Sequence, residues 1–177
     1  MRIRFSTARD LPVVDEDLAV QHGSVADMLV HPDTGKVEGF FVRIPGFFRS
    51  EQLFLSSSDI MHWGLRVVIR GPEALGPVED RVRLQSLLED GRVLLGQPIL
   101  TDTGRALGRC ADLQFDTVHF MVEWLWPRKL WRWGDPIPLS QVIEVRKDAI
   151  LVRDPSVPVP EKEDVKPPLI ERLPEAA

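Results

Sequence analysis

Four of the five tryptophans fall within one short stretch, Trp124-Leu-Trp126-Pro-Arg-Lys-Leu-Trp131-Arg-Trp133, and Arg128, Lys129 and Arg132 lie between them. Trp and Arg dominate the energetics of protein interfaces because one offers a large rigid apolar face and the other a fork of donors. A second, smaller group, Phe47-Phe48-Arg49 after Pro45-Gly46, repeats the theme in the first half of the chain. The chemistry these residue types suit is recognition: contact with a protein partner through Phe47, Phe48, Trp124, Trp126, Arg128, Lys129, Trp131, Arg132 and Trp133. The same set could stack single-stranded bases beside a basic groove, or sit at a bilayer interface. The competing reading is that the rings fill a core or a seam between two packed units, and the sequence leaves both open.

Residues for bond-making chemistry are scattered. His22, His31, His62 and His119 show no paired ligand spacing, and Cys110 is the sole cysteine, so no zinc motif forms and no internal disulfide is available. Cys110 lies in a strand-like run and reads as a small buried hydrophobe. Ser56-Ser-Ser-Asp59 lacks the strand–turn–helix setting of a nucleophile elbow. The glycines form no phosphate-binding motif. Asp27 and Asp112 could be taken for an acid–base pair, but an Asp beside a strand entry more commonly accepts backbone N–H bonds. The sequence therefore offers no catalytic residues, no cofactor site and no metal site.

The elements that must carry the aromatic groups are strands. Gly23-Ser-Val-Ala-Asp27-Met-Leu-Val answers to Gly108-Arg-Cys-Ala-Asp112-Leu-Gln-Phe, Phe40-Phe-Val42 to Phe120-Met-Val122, and Leu55-Ser-Ser-Ser58-Asp-Ile60 to Ile137-Pro-Leu-Ser140-Gln-Val142. Similarity recurring in the same order is the mark of a small unit used twice. His31-Pro-Asp-Thr-Gly35 and Asp102-Thr-Gly104 are turns, with Gly supplying a positive φ. Strands are expected over 25–30, 36–44, 51–56, 65–70, 108–115, 118–126, 131–133, 136–142 and 149–152. Trp124 and Trp126 would share one strand face, Trp131 and Trp133 a face of the returning strand, and Pro127–Leu130 would be the turn. A short helix is expected within 79–89, stopped by Gly91. From Pro155 onward Pro, Glu, Lys and Asp predominate, a composition that cannot bury enough apolar area to offset ordering.

This pattern of apolar–Gly–x–x–x–Asp–apolar, Asp-Thr-Gly turn, aromatic strand and Ser-Asp-Ile step resembles the PRC-barrel domain, a small β-barrel family. The second copy resembles it through Thr101–Asp112 and Ile137–Val142, the first through Gly23, Asp27, Asp33-Thr-Gly35 and Ser58-Asp-Ile60. The resemblance covers 12–71 and 95–153. Its members include part of the photosynthetic reaction-centre H subunit and a domain of a ribosome-maturation factor, so it implies binding without catalysis and carries over no functional residues. The expected fold is mainly β: two tandem PRC-like barrels (1–75 and 92–154), a linker with a short helix (76–91) and a disordered Pro-rich tail (155–177). The expected function is a non-catalytic adaptor for a protein partner, with an accessory role in ribosome or RNA maturation as the alternative.

With 22 Lys and Arg against 27 Asp and Glu, the net charge of −5 weighs against broad nucleic-acid binding. No apolar run reaches the length of a spanning helix, and Met1–Phe5 carries no secretory core, so a cytoplasmic chain is expected. Self-association into a homo-oligomer is a further way to cover exposed rings.

Overall fold

The computed structural model describes residues 1–17, 20–45, 51–154 and 156. Fifteen strands and two short helices follow one another along them. The first half holds β1 (Arg2–Arg4), α1 (Phe5–Ala8), β2 (Pro12–Asp15), β3 (Gln21–Val30), β4 (Val37–Ile44), β5 (Glu51–Ser56), β6 (Ile60–Trp63), β7 (Val67–Ile69) and β8 (Leu75–Gly76). The second holds α2 (Gln85–Asp90), β9 (Pro98–Thr101), β10 (Ala106–Asp116), β11 (Met121–Lys129), β12 (Arg132–Trp133), β13 (Ile137–Pro138), β14 (Val142–Val145) and β15 (Ile150–Val152). The mainly-β expectation holds, and the strands of the two expected barrels form two sheets.

One sheet runs β6-β7-β2-β3-β4-β5-β8 and the other β14-β15-β9-β10-β11-β12, with β13 also on β11. The strand order corresponds along β6-β7-β2-β3-β4-β5 and β14-β15-β9-β10-β11-β12, with β12 and β13 together in the place of β5, while β8 on β5 and β1 on β10 have no counterparts. Each contains a long central hairpin, and each has one parallel pair, β2 with β7 and β9 with β15. The register matches residue by residue at an offset of 85: Ser24 faces Arg43 as Arg109 faces Arg128, and the register then slips between Val25 and Asp27 as it does between Cys110 and Asp112. At these bulges each Asp accepts the next residue's N–H, Met28 on Asp27 at 2.8 Å and Leu113 on Asp112 at 2.9 Å. The repeated aspartates thus satisfy backbone donors that a bulge leaves without a ladder partner. The repeated glycines serve close approach. A Cβ on Gly23 would lie 2.5 Å from the Arg43 carbonyl oxygen, and one on Gly108, which sits at φ +120°, 2.6 Å from that of Arg128.

The two sheets meet reciprocally. Lys36 bridges Met121, the Val37 N–H donates to Phe120 O at 2.7 Å, and the Val122 N–H donates to Gly35 O at 2.9 Å. Each unit's lead-in crosses to the other sheet. β1 pairs with β10, and Arg2 Nε meets Glu123 at 2.5 Å; in the opposite sense Arg83 from the linker reaches Glu38 at 3.7 Å and Ser56 Oγ at 3.1 Å. Glu38 and Glu123 are themselves the extra residues of matched second bulges. Between the sheets lies one continuous core. Phe40 packs on Trp63, Phe115 and Phe120 with ring centroids 4.7, 5.7 and 6.2 Å away, and Trp63 crosses to Phe115 at 5.6 Å.

Several local expectations are corrected. The helix starts later than predicted, at Gln85, because 78–80 and 82–84 wind as 3-10 turns; Gly91 ends it at φ +68°. α1 and β1 had no sequence signal. β11 begins at Met121, since 117–120 form a tight turn with Phe120 at φ +52°. His31 in the turn is half-buried. No helix among the described residues is long and apolar enough to cross a membrane.

Candidate functional site

The aromatic stretch is a hairpin, but its turn is not where the proline suggested. β11 runs through Pro127 to Lys129, Lys129 faces Arg132, and the connection is only Leu130 and Trp131. Pro127 is accommodated in the strand because it faces Cys110 where the β10 register slips, and its own carbonyl accepts the Gly134 N–H at 2.9 Å. Trp131 is therefore a turn residue and does not share a strand face with Trp133. Leu130 adopts φ +55°, a left-handed backbone that a leucine rarely takes.

Exposure separates the four tryptophans. Trp131 is 93% exposed and Leu130 beside it 83%, while Trp133 is 50% exposed. Trp124 and Trp126 are half-buried, and Trp124 is held between Gln114 and Pro138 in the sheet. Arg128, Lys129 and Arg132 are all exposed. Phe47 and Phe48 lie outside the described residues.

The structure brings in residues that carry no marker in the sequence. The guanidinium of Arg4, from β1, lies 3.4 Å from the centre of the Trp126 ring and 5.8 Å from that of Trp133, and Arg128 lies 5.5 Å from Trp133. Such a contact is worth about 0.5–1 kcal/mol at an exposed site. Arg9 stacks likewise on Phe5, at 5.0 Å. Arg4, Arg9, Arg109, Arg128, Lys129 and Arg132 have no ion-pair partner among the described residues, whereas Arg2, Arg83, Arg92 and Arg105 all do. A protein with net negative charge thus gathers unpaired cations at one end. Only the crossing of β1 onto β10 brings Arg4 and Arg9 there, and no spacing in the sequence encodes that crossing.

Residues 1–75 match the family model for the PRC-barrel domain. Over that part the chain is similar to a PRC-barrel domain. No curated protein matches the chain. The aromatic hairpin lies in the sheet that follows this PRC-barrel segment, although the segment's own first strand, β1, supplies the Arg4 that stacks upon it.

The remaining polar clusters are structural in their geometry. Asp112, 2% exposed, accepts the Ser6 N–H at 3.0 Å and its hydroxyl at 2.5 Å, which fastens α1 to β10. Arg92 ties the units together, donating to Asp33, Asp90 and the Val145 carbonyl. Asp154 takes donors from Thr103, Arg105 and Ser156, and these hydrogen bonds, led by Ser156 and Thr103, hold its pKa far below the usual carboxylate range. Burial, with the Asp112 charge adding to it, pushes the Cys110 thiol up to about 12, so it is protonated and inert at neutral pH. Among the described residues no group of three or more His, Cys, Asp or Glu could hold a metal ion.

Proposed function

We propose that the protein is a non-catalytic adaptor built from two PRC-type units, and that it grips a protein partner with the hairpin tip Leu130–Trp131 and its flanking Trp133, Arg128, Lys129 and Arg132. One observation carries this reading. The turn holds a leucine at positive φ and a tryptophan with almost its whole surface in water. Neither turn chemistry nor burial accounts for those residue types, since a two-residue hairpin favours Asn or Gly at positive φ, and an exposed large apolar group gains nothing until a partner covers it. The stacked arginines beside it supply the polar rim typical of interface hot spots.

The test is affinity capture from the native host with wild type and with Trp131→Ser. Trp131 contributes little buried area, so the variant should melt with the wild type. A protein retained by the wild type and lost by the variant supports the reading; equal retention overturns it. Nuclease treatment and a salt wash separate the alternative, an accessory role in RNA or ribosome maturation, because a partner bridged by RNA would be released by both.

A further inference from the structure

At the foot of the hairpin, between α1 and the β10–β11 ladder, is a cavity of about 190 Å³. Phe5, Leu95 and Ala111 contribute apolar wall, and Arg9 and Arg128 stand in its lining as exposed cations without a carboxylate partner among the described residues. The one acid in the wall, Asp112, has its oxygens committed to Ser6 and Leu113. Arg109 is anchored next to it by donating to Gly96 O at 2.9 Å. The larger cavity, about 410 Å³, is different: its Arg81 lies 3.8 Å from Asp59, and Glu73 faces it too, so its charges are matched internally. The ring faces near the smaller cavity are already partly taken by guanidinium groups, which disfavours the intercalating stack of bases and leaves the in-plane N–H forks of the arginines as the unused recognition element. Arg9 lies over Phe5 at 5.0 Å and Arg128 over Trp133 at 5.5 Å, and the guanidinium N–H groups that such contacts leave free suit a bidentate carboxylate.

We propose that this cavity receives an acidic side chain of the partner polypeptide, delivered beside the apolar segment that Leu130 and Trp131 hold. The inference rests on the adaptor reading and narrows it: the docking segment of the partner is acidic as well as apolar.

The probe is a fluorescently labelled decaglutamate peptide, titrated into the full chain and followed by anisotropy, with decaglutamine and an oligouridylate of equal length in parallel. Decaglutamate should bind, decaglutamine should not, and the binding should weaken as salt shortens the Debye length from about 10 Å towards about 3 Å. Arg9→Gln with Arg128→Gln should weaken it by tenfold or more, the equivalent of about one charge-assisted hydrogen bond in all. Arg66→Gln with Lys147→Gln removes equal charge from exposed residues that line neither cavity nor hairpin, and should change affinity by less than about twofold. Equal loss in both double variants, no preference for decaglutamate over decaglutamine, or tighter binding of the oligouridylate would each overturn the proposal. None of those results bears on whether Trp131→Ser loses a protein in the capture experiment, so the two readings fail separately.

Discussion

Phe40 is completely buried and its ring touches aromatic residues of both sheets: Trp63 from its own, Phe115 and Phe120 from the other. Truncation to alanine removes the ring and leaves a hole that two sheets must share. Large-to-small changes of this kind cost about 3–5 kcal/mol. Against a total stability of about 5–15 kcal/mol that is a large fraction. For a chain of this length each kcal/mol lowers the melting temperature by about 2–4 °C, so Phe40→Ala should melt about 6–20 °C below the wild type. Two probes decide whether the halves are coupled. Four of the five tryptophans are in the hairpin of the second unit, so emission reports chiefly on that unit, while far-ultraviolet circular dichroism reports on both. With one continuous core, both signals should move together to the lower midpoint. If emission kept the wild-type midpoint while the dichroism split into two steps, the units would be independent and the shared-core argument would be wrong.

Asp112→Ala should cost about 2 kcal/mol because it leaves the Ser6 and Leu113 N–H groups without their acceptor, while Asp27→Ala at the equivalent but exposed position should cost under about 0.5 kcal/mol; urea midpoints of the two variants check this. Leu130→Gly should raise stability by about 1 kcal/mol by relieving the left-handed leucine, yet weaken partner capture, whereas a purely structural turn would improve in stability with no loss of capture. Cys110 should resist iodoacetamide at neutral pH in the folded protein and react only in denaturant; rapid labelling of native protein would contradict its burial. The Asp116 carboxyl is held well below the usual range, first by the His119 backbone N–H and also by that of Val118. A depressed carboxylate contributes its full stabilisation above the unfolded pKa and loses it as acid protonates it, so the melting-temperature gap between wild type and Asp116→Asn should close as the pH falls below about 4.

The strand-rich architecture was legible because Gly23, Asp27, Gly108 and Asp112 answer local requirements: close approach to a neighbouring carbonyl and a cap for a bulge. Such requirements recur wherever the backbone path recurs, and leave matching residues. The hairpin turn was misplaced because Pro127 is a breaker in most strands, and only the slipped register opposite Ala111 makes it tolerable here. Trp131 was therefore assigned to a strand face when it is the tip. The composition of the basic end was half legible. Arg128, Lys129 and Arg132 are adjacent in sequence, but Arg4 and Arg9 arrive through β1 pairing with Gln114–Asp116, a contact across more than a hundred residues that leaves no local trace. The lead-in crossings are set by tertiary packing, and patterning along the chain is blind to them.

The bridge at Lys36 and Met121 has a bearing on assembly. Because the residue 85 places onward returns the contact it receives, each unit's joining edge is satisfied by the other within a single chain. An isologous junction of this sort terminates; a head-to-tail one would leave a vacant edge at either end and invite filaments. Growth by that route is closed off at two units, which leaves the outer faces and free edges of the two sheets as the surfaces open to other molecules.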